Sequence, residues 1–90
     1  MAEPSIYKIF IERKAEKETE NIPPPQRLRI DKVILSLSSN PRPHNCKKLT
    51  HKEGYRIRVG NYRVLYMVDD KAKTVVIYRV KYPAAELRGI

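Results

Sequence analysis

The stretch "GYRIRVGNYRVLYMV", residues 54–68, constrains the fold more than any other part of this sequence. It consists of two runs of alternating side chains separated by Gly60-Asn61, a pair suited to the positive backbone angles of a two-residue hairpin turn. With the turn there, Val59 faces Tyr62 and Arg58 lies across from Arg63. Period-2 alternation then puts Tyr55, Ile57, Val59, Tyr62, Val64, Tyr66 and Val68 on one face, and Arg56, Arg58, Arg63, Leu65 and Met67 on the other. The first face is apolar enough to belong under helices. On the second, three guanidinium groups fall within about one cross-strand spacing, although opposed like charges destabilise a ladder by up to ~1 kcal/mol. No Asp or Glu occurs between Gly54 and Val68, so the hairpin supplies none of its own counter-charge. Two readings follow. The patch is either a solvated polar face neutralised from elsewhere in the chain, or a recessed anion site. Guanidinium groups suit phosphate in particular, because they stay charged and bind it in a bidentate fork.

The remaining chain supplies what such a hairpin needs. "SIYKIFIERK" is rich in β-branched and aromatic residues and predicts a first strand over 6–11. In "ERKAEKETEN" only Ala15, Thr19 and Ile22 fall at helical spacing, so a short helix with a charged, solvated face is expected. "PPP" at 23–25 stops it, and its last proline suits the first turn of another helix. Over residues 26–39 the apolar positions Ile30, Val33, Ile34 and Leu37 fall at i, i+3, i+4 and i+7, one stripe of an amphipathic helix ended by Asn40-Pro41. A basic loop, "PRPHNCKKLTHKE", leads into the hairpin. "DDKAK" is a second turn, and "TVVIYRV", 74–80, a last strand. The order strand, helix, helix, three antiparallel strands predicts an α+β fold: a small antiparallel sheet, made of an N-terminal strand and a C-terminal meander, packed on two helices. Ninety residues without internal repeats or a long linker make one domain, 1–90.

Charge narrows the function. With 19 Lys+Arg against 10 Asp+Glu the chain carries +9, which favours a polyanionic partner, with nucleic acid first, then an acidic protein, then an anionic membrane surface. No secretory h-region and no window approaching ~20 apolar residues occurs, so a cytoplasmic protein is expected. The single cysteine, Cys46, excludes an intramolecular disulfide. His44, Cys46 and His51 could ligate zinc but lack paired spacing, and they read as an ordinary loop.

The core "Y-R-x-R-x-G-x-Y-R-V-x-Y", together with the order of elements and Lys48-Leu49 near the end of the loop, resembles the RelE/ParE superfamily of toxins from type II toxin–antitoxin pairs over nearly the whole chain. The resemblance implies a RelE-like fold and, for the RelE branch, a ribosome-dependent, metal-independent endoribonuclease that cuts mRNA in the A site and inhibits translation. It implies no cofactor, a cognate acidic antitoxin with which the toxin forms hetero-oligomers, and contact with ribosome and mRNA. Carried over by position, Arg56 and Arg58 match that branch's basic pair and Arg63 the arginine after its turn. Arg63 and Arg56 would grip the scissile phosphate while Arg58 positions the mRNA or orients the 2′-OH. Lys47, Lys48, Lys52, Arg79, Lys81 and Arg88 would contact flanking RNA. The tail "VKYPAAELRGI" departs from the family: Tyr82 stands at the usual His, Pro83 at the usual Arg, and Leu87 or Arg88 at the usual Tyr. Tyr82 either substitutes as a base, its phenolate favoured by nearby cations, or packs at the end of the sheet. The alternatives are the ParE branch, which inhibits DNA gyrase, and a catalytically weakened homologue that mainly binds its antitoxin.

Overall fold

The computed structural model describes residues 6–50 and 54–82. The elements run β1 (Lys8–Ile11), α1 (Arg13–Glu20), α2 (Pro24–Ser36), β2 (Lys47–Lys48), β3 (Tyr55–Val59), β4 (Tyr62–Asp69) and β5 (Thr74–Lys81). They form one five-stranded sheet of order β1-β5-β4-β3-β2 and two helices, the expected α+β architecture. Two details differ from expectation. β1 lies parallel to β5, so the sheet is mixed: the two helices return the chain across the sheet and allow the first strand to run beside the last in the same direction. A two-residue strand, β2, also appears at the far edge, where Lys47 pairs with Arg56 and Lys48 with Tyr55.

The hairpin has the predicted register, Arg58 opposite Arg63 and Val59 opposite Tyr62, with Gly60 at φ 61°. One buried cluster unites its apolar face with both helices: Ile57, Val59, Val64, Tyr66, Val75, Ile77 and Val80 meet Ala15, Ile22, Ile30, Ile34 and Leu37. The stripe on α2 is therefore the one the spacing implied, with Val33 packed at its margin. The helix itself ends earlier, at Ser36, and a final turn tightens onto i−3 carbonyls, Leu37 N–H to Ile34 and Ser38 N–H to Leu35. Ala15, fully buried, lets the backbone of α1 come close to the sheet.

β5 does not alternate simply. Leu65 pairs with Arg79 and Tyr66 with Ile77, which leaves Tyr78 as an extra, unopposed residue. Strict alternation after Val75 and Ile77 would aim Arg79 into the core. The bulge resets the parity and buries Val80 instead. Among the described residues no helix is long and apolar enough to cross a membrane.

Candidate anion site

On the face of the sheet opposite the helices, Arg56 and Arg58 of β3 and Arg63 of β4 line a compact hollow of about 110 Å³ together with Lys47 of β2 and Asn45 just before it. Register explains the grouping: Lys47 lies beside Arg56, Arg58 beside Arg63, and the two arginines of β3 are two residues apart on one face. Arg56 and Arg63 are half-buried and Arg58 is exposed. Among the described residues none of the three arginines has an ion pair, whereas Arg42 and Arg79 do. Burial, and then the charges of Arg56 and Arg58, push the Arg63 guanidinium below its ordinary value. It remains a cation at any physiological pH, so what this records is a charge without neutralisation. An anion in the hollow would relieve it.

The loop that delivers Asn45 and Lys47 is anchored at both chemical levels, apolar and polar. The fully buried Tyr66 donates its hydroxyl to the Pro41 carbonyl at 2.8 Å. The Arg42 guanidinium donates to both carboxylate oxygens of Asp70, at 3.1 and 2.9 Å, and its Nε to the Tyr55 hydroxyl at 2.9 Å. Tyr7 donates its hydroxyl to the same carboxylate at 2.7 Å. The bonds from Arg42 and then from Tyr7 hold the Asp70 carboxyl down to about 2, so this clamp is ionised throughout the neutral range. Sequence reasoning missed Asn45, Arg42 and Asp70. A two-residue strand has no periodicity to detect, and a pair separated by 28 residues leaves no local signal.

Several expected site residues lie elsewhere. Tyr82 does not join the arginines. Its ring packs against Tyr62, with centroids 4.7 Å apart, and lines a hollow with Gln26 and Arg29 of α2. Arg79, expected at flanking RNA, has its guanidinium paired with Glu18 of α1 at 2.9 Å. The same pair corrects the reading of α1, whose charged residues were expected to be merely solvated. β1 accompanies β5 only as far as Ile77, and beyond that point the Glu18 carboxylate takes the place of a neighbouring strand, accepting the Val80 N–H at 2.7 Å and Arg79 Nε at 3.0 Å. Burial alone would raise the Glu18 carboxyl, but the bonds from Arg79 and the Val80 N–H and the charges of Arg79 and Lys14 outweigh it, and the group sits below its ordinary value. Lys48 alternates with Lys47 and so leaves β2 on the other side, beside Tyr55. Lys81 is the cross-strand partner of Arg63 but lines a different hollow, with Glu18 and Tyr82. Lys52 and Arg88 lie outside the described residues, as do His51 and the tail from Pro83. Among the described residues no group of three or more His, Cys, Asp or Glu side chains is placed to hold a metal ion.

Comparison with known proteins shows the class to which this α+β fold belongs. Residues 9–84 match the family described as ParE toxin of type II toxin–antitoxin system, parDE. The chain belongs to that family, within the RelE/ParE superfamily, and is a toxin of a type II toxin–antitoxin system. Among relatives, it is 24% identical over 78 residues to the candidate toxin RelE1 of Methanocaldococcus jannaschii, covering 82% of this chain and 87% of that one. The fold is similar to that in the toxin–antitoxin complex RelBE2 of Mycobacterium tuberculosis, with a TM-score of 0.78 at 27% identity, covering 90% of this chain and 95% of the other. It is also similar to the RelE–RelB complex of Pyrococcus horikoshii, with a TM-score of 0.76 at 26% identity over 88% of this chain and 97% of the other.

Proposed function

We propose that this toxin is a ribosome-dependent endoribonuclease whose arginine hollow holds the scissile phosphate of mRNA in the A site. The observation that carries the reading is the hollow itself: three arginines, one lysine and one amide converge on it, and no carboxylate lines it. In RNA cleavage by an adjacent 2′-OH, the attack in line on phosphorus places extra negative charge on the non-bridging oxygens. Fixed guanidinium groups suit that charge better than water does, because they need no reorganisation as it develops. Arg63, half-buried and flanked by like charges, is best placed to gain from the phosphorane, with Arg56 beside Lys47 as the second clamp. Arg58, the exposed member, and Asn45 would orient the strand and its 2′-OH.

The described lining contains no group that accepts a proton near neutral pH. In this reading we take catalysis to be electrostatic and positional: solvent hydroxide removes the 2′-OH proton, the P–O5′ bond breaks as the P–O2′ bond forms, and water protonates the departing 5′ oxygen. The cleavage rate should then rise log-linearly with pH over the neutral range, instead of following a bell set by a residue's own pKa. The complexes that resemble this chain contain RelB antitoxins. By extension, an antitoxin is the cognate partner of this toxin, and the net charge of +9 favours an acidic one.

A second reading is the alternative that the resemblance left open, the ParE branch that inhibits DNA gyrase by binding, and the matching family is described as ParE toxin. Expression of the toxin alone distinguishes the two. Primer extension should show mRNA cuts at ribosome-occupied codons. Intact transcripts with a gyrase-linked DNA-damage response would select the ParE reading.

A further inference from the structure

We propose that two copies of this chain pack open sheet face to open sheet face, each setting Asp69 into the arginine hollow of the other and so closing both hollows. The observation behind this is an order along β4. Its alternate residues Arg63, Leu65, Met67 and Asp69 share the open face, with a cation at one end, two apolar side chains in the middle and a carboxylate at the other end. The apolar middle is wide, because Phe10 of β1, Val76 of β5 and Met67 of β4 form one cross-strand row. Phe10 is 53% and Met67 41% exposed, and both described helices pack on the opposite face. Tyr78, the bulge residue, adds to this surface: a Cβ on Gly54 would stand 3.4 Å from Met67 Cγ and 3.5 Å from the Tyr78 hydroxyl. At the acidic end Met67 and Val76 line a hollow of about 710 Å³ in which Glu12, Asp69 and Asp70 stand against one cation, Lys71. Oδ1 of Asp69 accepts the Ala72 N–H at 3.0 Å, and among the described residues the carboxylate has no ion pair.

Such a face is its own complement. A two-fold axis lying in the interface and crossing β4 at Tyr66 reverses the strand in place, so Arg63 meets the partner's Asp69 and Leu65 meets the partner's Met67, each contact occurring twice. The two charged contacts stand about 20 Å apart, six residues at the strand rise, with the apolar row between them. Nucleic acid lying along the whole face would bring its own negative charge onto Asp69, Asp70 and Glu12, and so would an acidic peptide. The occupant that fits carries apolar groups between an anion and a cation at strand spacing, which is the pattern of this chain. Two chains of +9 repel one another in other orientations, and that favours the one in which opposite charges meet. Four strands ~4.8 Å apart and ~20 Å long offer roughly 400 Å² per copy, or ~800 Å² in all, short of the ~1,200 Å² of a stable complex. The pair is therefore a weak one, with a Kd of about 10–100 µM. It draws only on the charge of Arg63 and stands independently of the phosphate reading.

Charge reversal tests the register. Sedimentation of the whole toxin, over a concentration series spanning the expected Kd, should show a monomer–dimer equilibrium, and the methyl signal of labelled Met67 should shift along the same series. Arg63→Asp and Asp69→Arg should each weaken self-association at least tenfold, because each sets like charges together at both ends of the interface. An equimolar mixture of the two variants should associate again as a heterodimer, since both of its charged contacts are once more of opposite sign. The double variant Arg63→Asp/Asp69→Arg should recover the homodimer for the same reason. Wild type that stays monomeric through the series would overturn the proposal, and so would single variants that associate as well as wild type. A mixture that stays monomeric although each variant keeps the wild-type circular dichroism spectrum would overturn it too. A Met67 methyl that responds to a single-stranded oligonucleotide and ignores toxin concentration would give this face to RNA and end the case for a second copy.

Discussion

Glu18→Ala should destabilise the toxin by about 2–4 kcal/mol, the sum of two losses. The Val80 N–H, in a residue only 4% exposed, gives up a 2.7 Å acceptor. A buried donor left without a partner costs ~1–3 kcal/mol. The pair with Arg79 is lost as well; its side chains are 29% and 24% exposed, which places it above a surface pair but below a buried one, at about 1 kcal/mol. With an unfolding entropy of ~2.1 cal/mol/K per residue, each kcal/mol shifts Tm by about 5 °C for a chain of this length, so a fall of roughly 10–20 °C is expected. Glu18→Gln keeps an acceptor for Val80 and loses only the charge, so it should fall by about 5 °C.

The pH dependence separates the two terms. Because the folded-state carboxyl of Glu18 lies below its unfolded value, the folded protein binds fewer protons there. The charge contribution is fully present above the unfolded value and disappears as pH falls through the folded one. Thermal unfolding followed by circular dichroism should therefore show wild type and Glu18→Gln separated at pH 7 and converging in acid, with Arg79→Ala closing a double-mutant cycle. A Glu18→Ala protein that melts within 2–3 °C of wild type, or a cycle with no coupling, would refute the idea that this carboxylate caps the open edge of β5.

Four further outcomes follow from the geometry. Arg63→Ala should lower single-turnover cleavage on programmed ribosomes by ~10²–10³ with little change in ribosome binding, and Arg63→Lys should recover only part of it; a loss confined to binding would make Arg63 a tether. Lys47→Ala should weaken RNA binding and reduce its salt dependence by a slope of about 0.7, while Lys48→Ala, on the other side of β2, should leave both nearly unchanged, as measured by salt titration. Gly54→Ala should lower Tm by at least 5–10 °C, because φ at this position is +123° and a Cβ would stand 2.9 Å from the Tyr66 carbonyl oxygen. Asp70→Asn should loosen the loop before β2 and weaken RNA binding through Lys47 and Asn45, with the hydrogen-exchange protection of the Cys46 N–H falling in parallel.

The hairpin was legible because its signals are local: Gly60-Asn61 sets the turn, and strict alternation then dictates which residues share a face. The α2 stripe was legible for the same reason, at period 3.6. What escaped was everything decided across the chain. The parallel placement of β1 depends on how two helices fold back, which no residue of β1 encodes. The bulge at Tyr78 depends on pairing with Leu65 and Tyr66, and without it Arg79 and Tyr82 take the wrong faces in any reading by alternation. Tyr82 was weighed as a base because it aligns with a functional position of the resembling family, yet a one-residue change of parity is enough to turn its ring toward α2.

The distribution of carboxylates gives the arginine cluster its meaning. Arg42 and Arg79 each meet a carboxylate brought from a distant part of the chain, Asp70 at 2.9 Å and Glu18 at 2.9 Å. The fold is thus able to neutralise a guanidinium where stability requires it. At the hairpin it does the reverse: Arg58 is set directly opposite Arg63, Arg56 beside Lys47, and Arg63 is half-buried among them. A merely solvated face would spread these charges or intersperse acids, since either change adds stability at no cost to the core. Local conflict retained inside an otherwise consistent fold points to a ligand that resolves it. On the proposed reading that ligand is a phosphate, whose oxygens would accept from several guanidinium forks at once and whose charge would grow during transesterification, when these groups can do most.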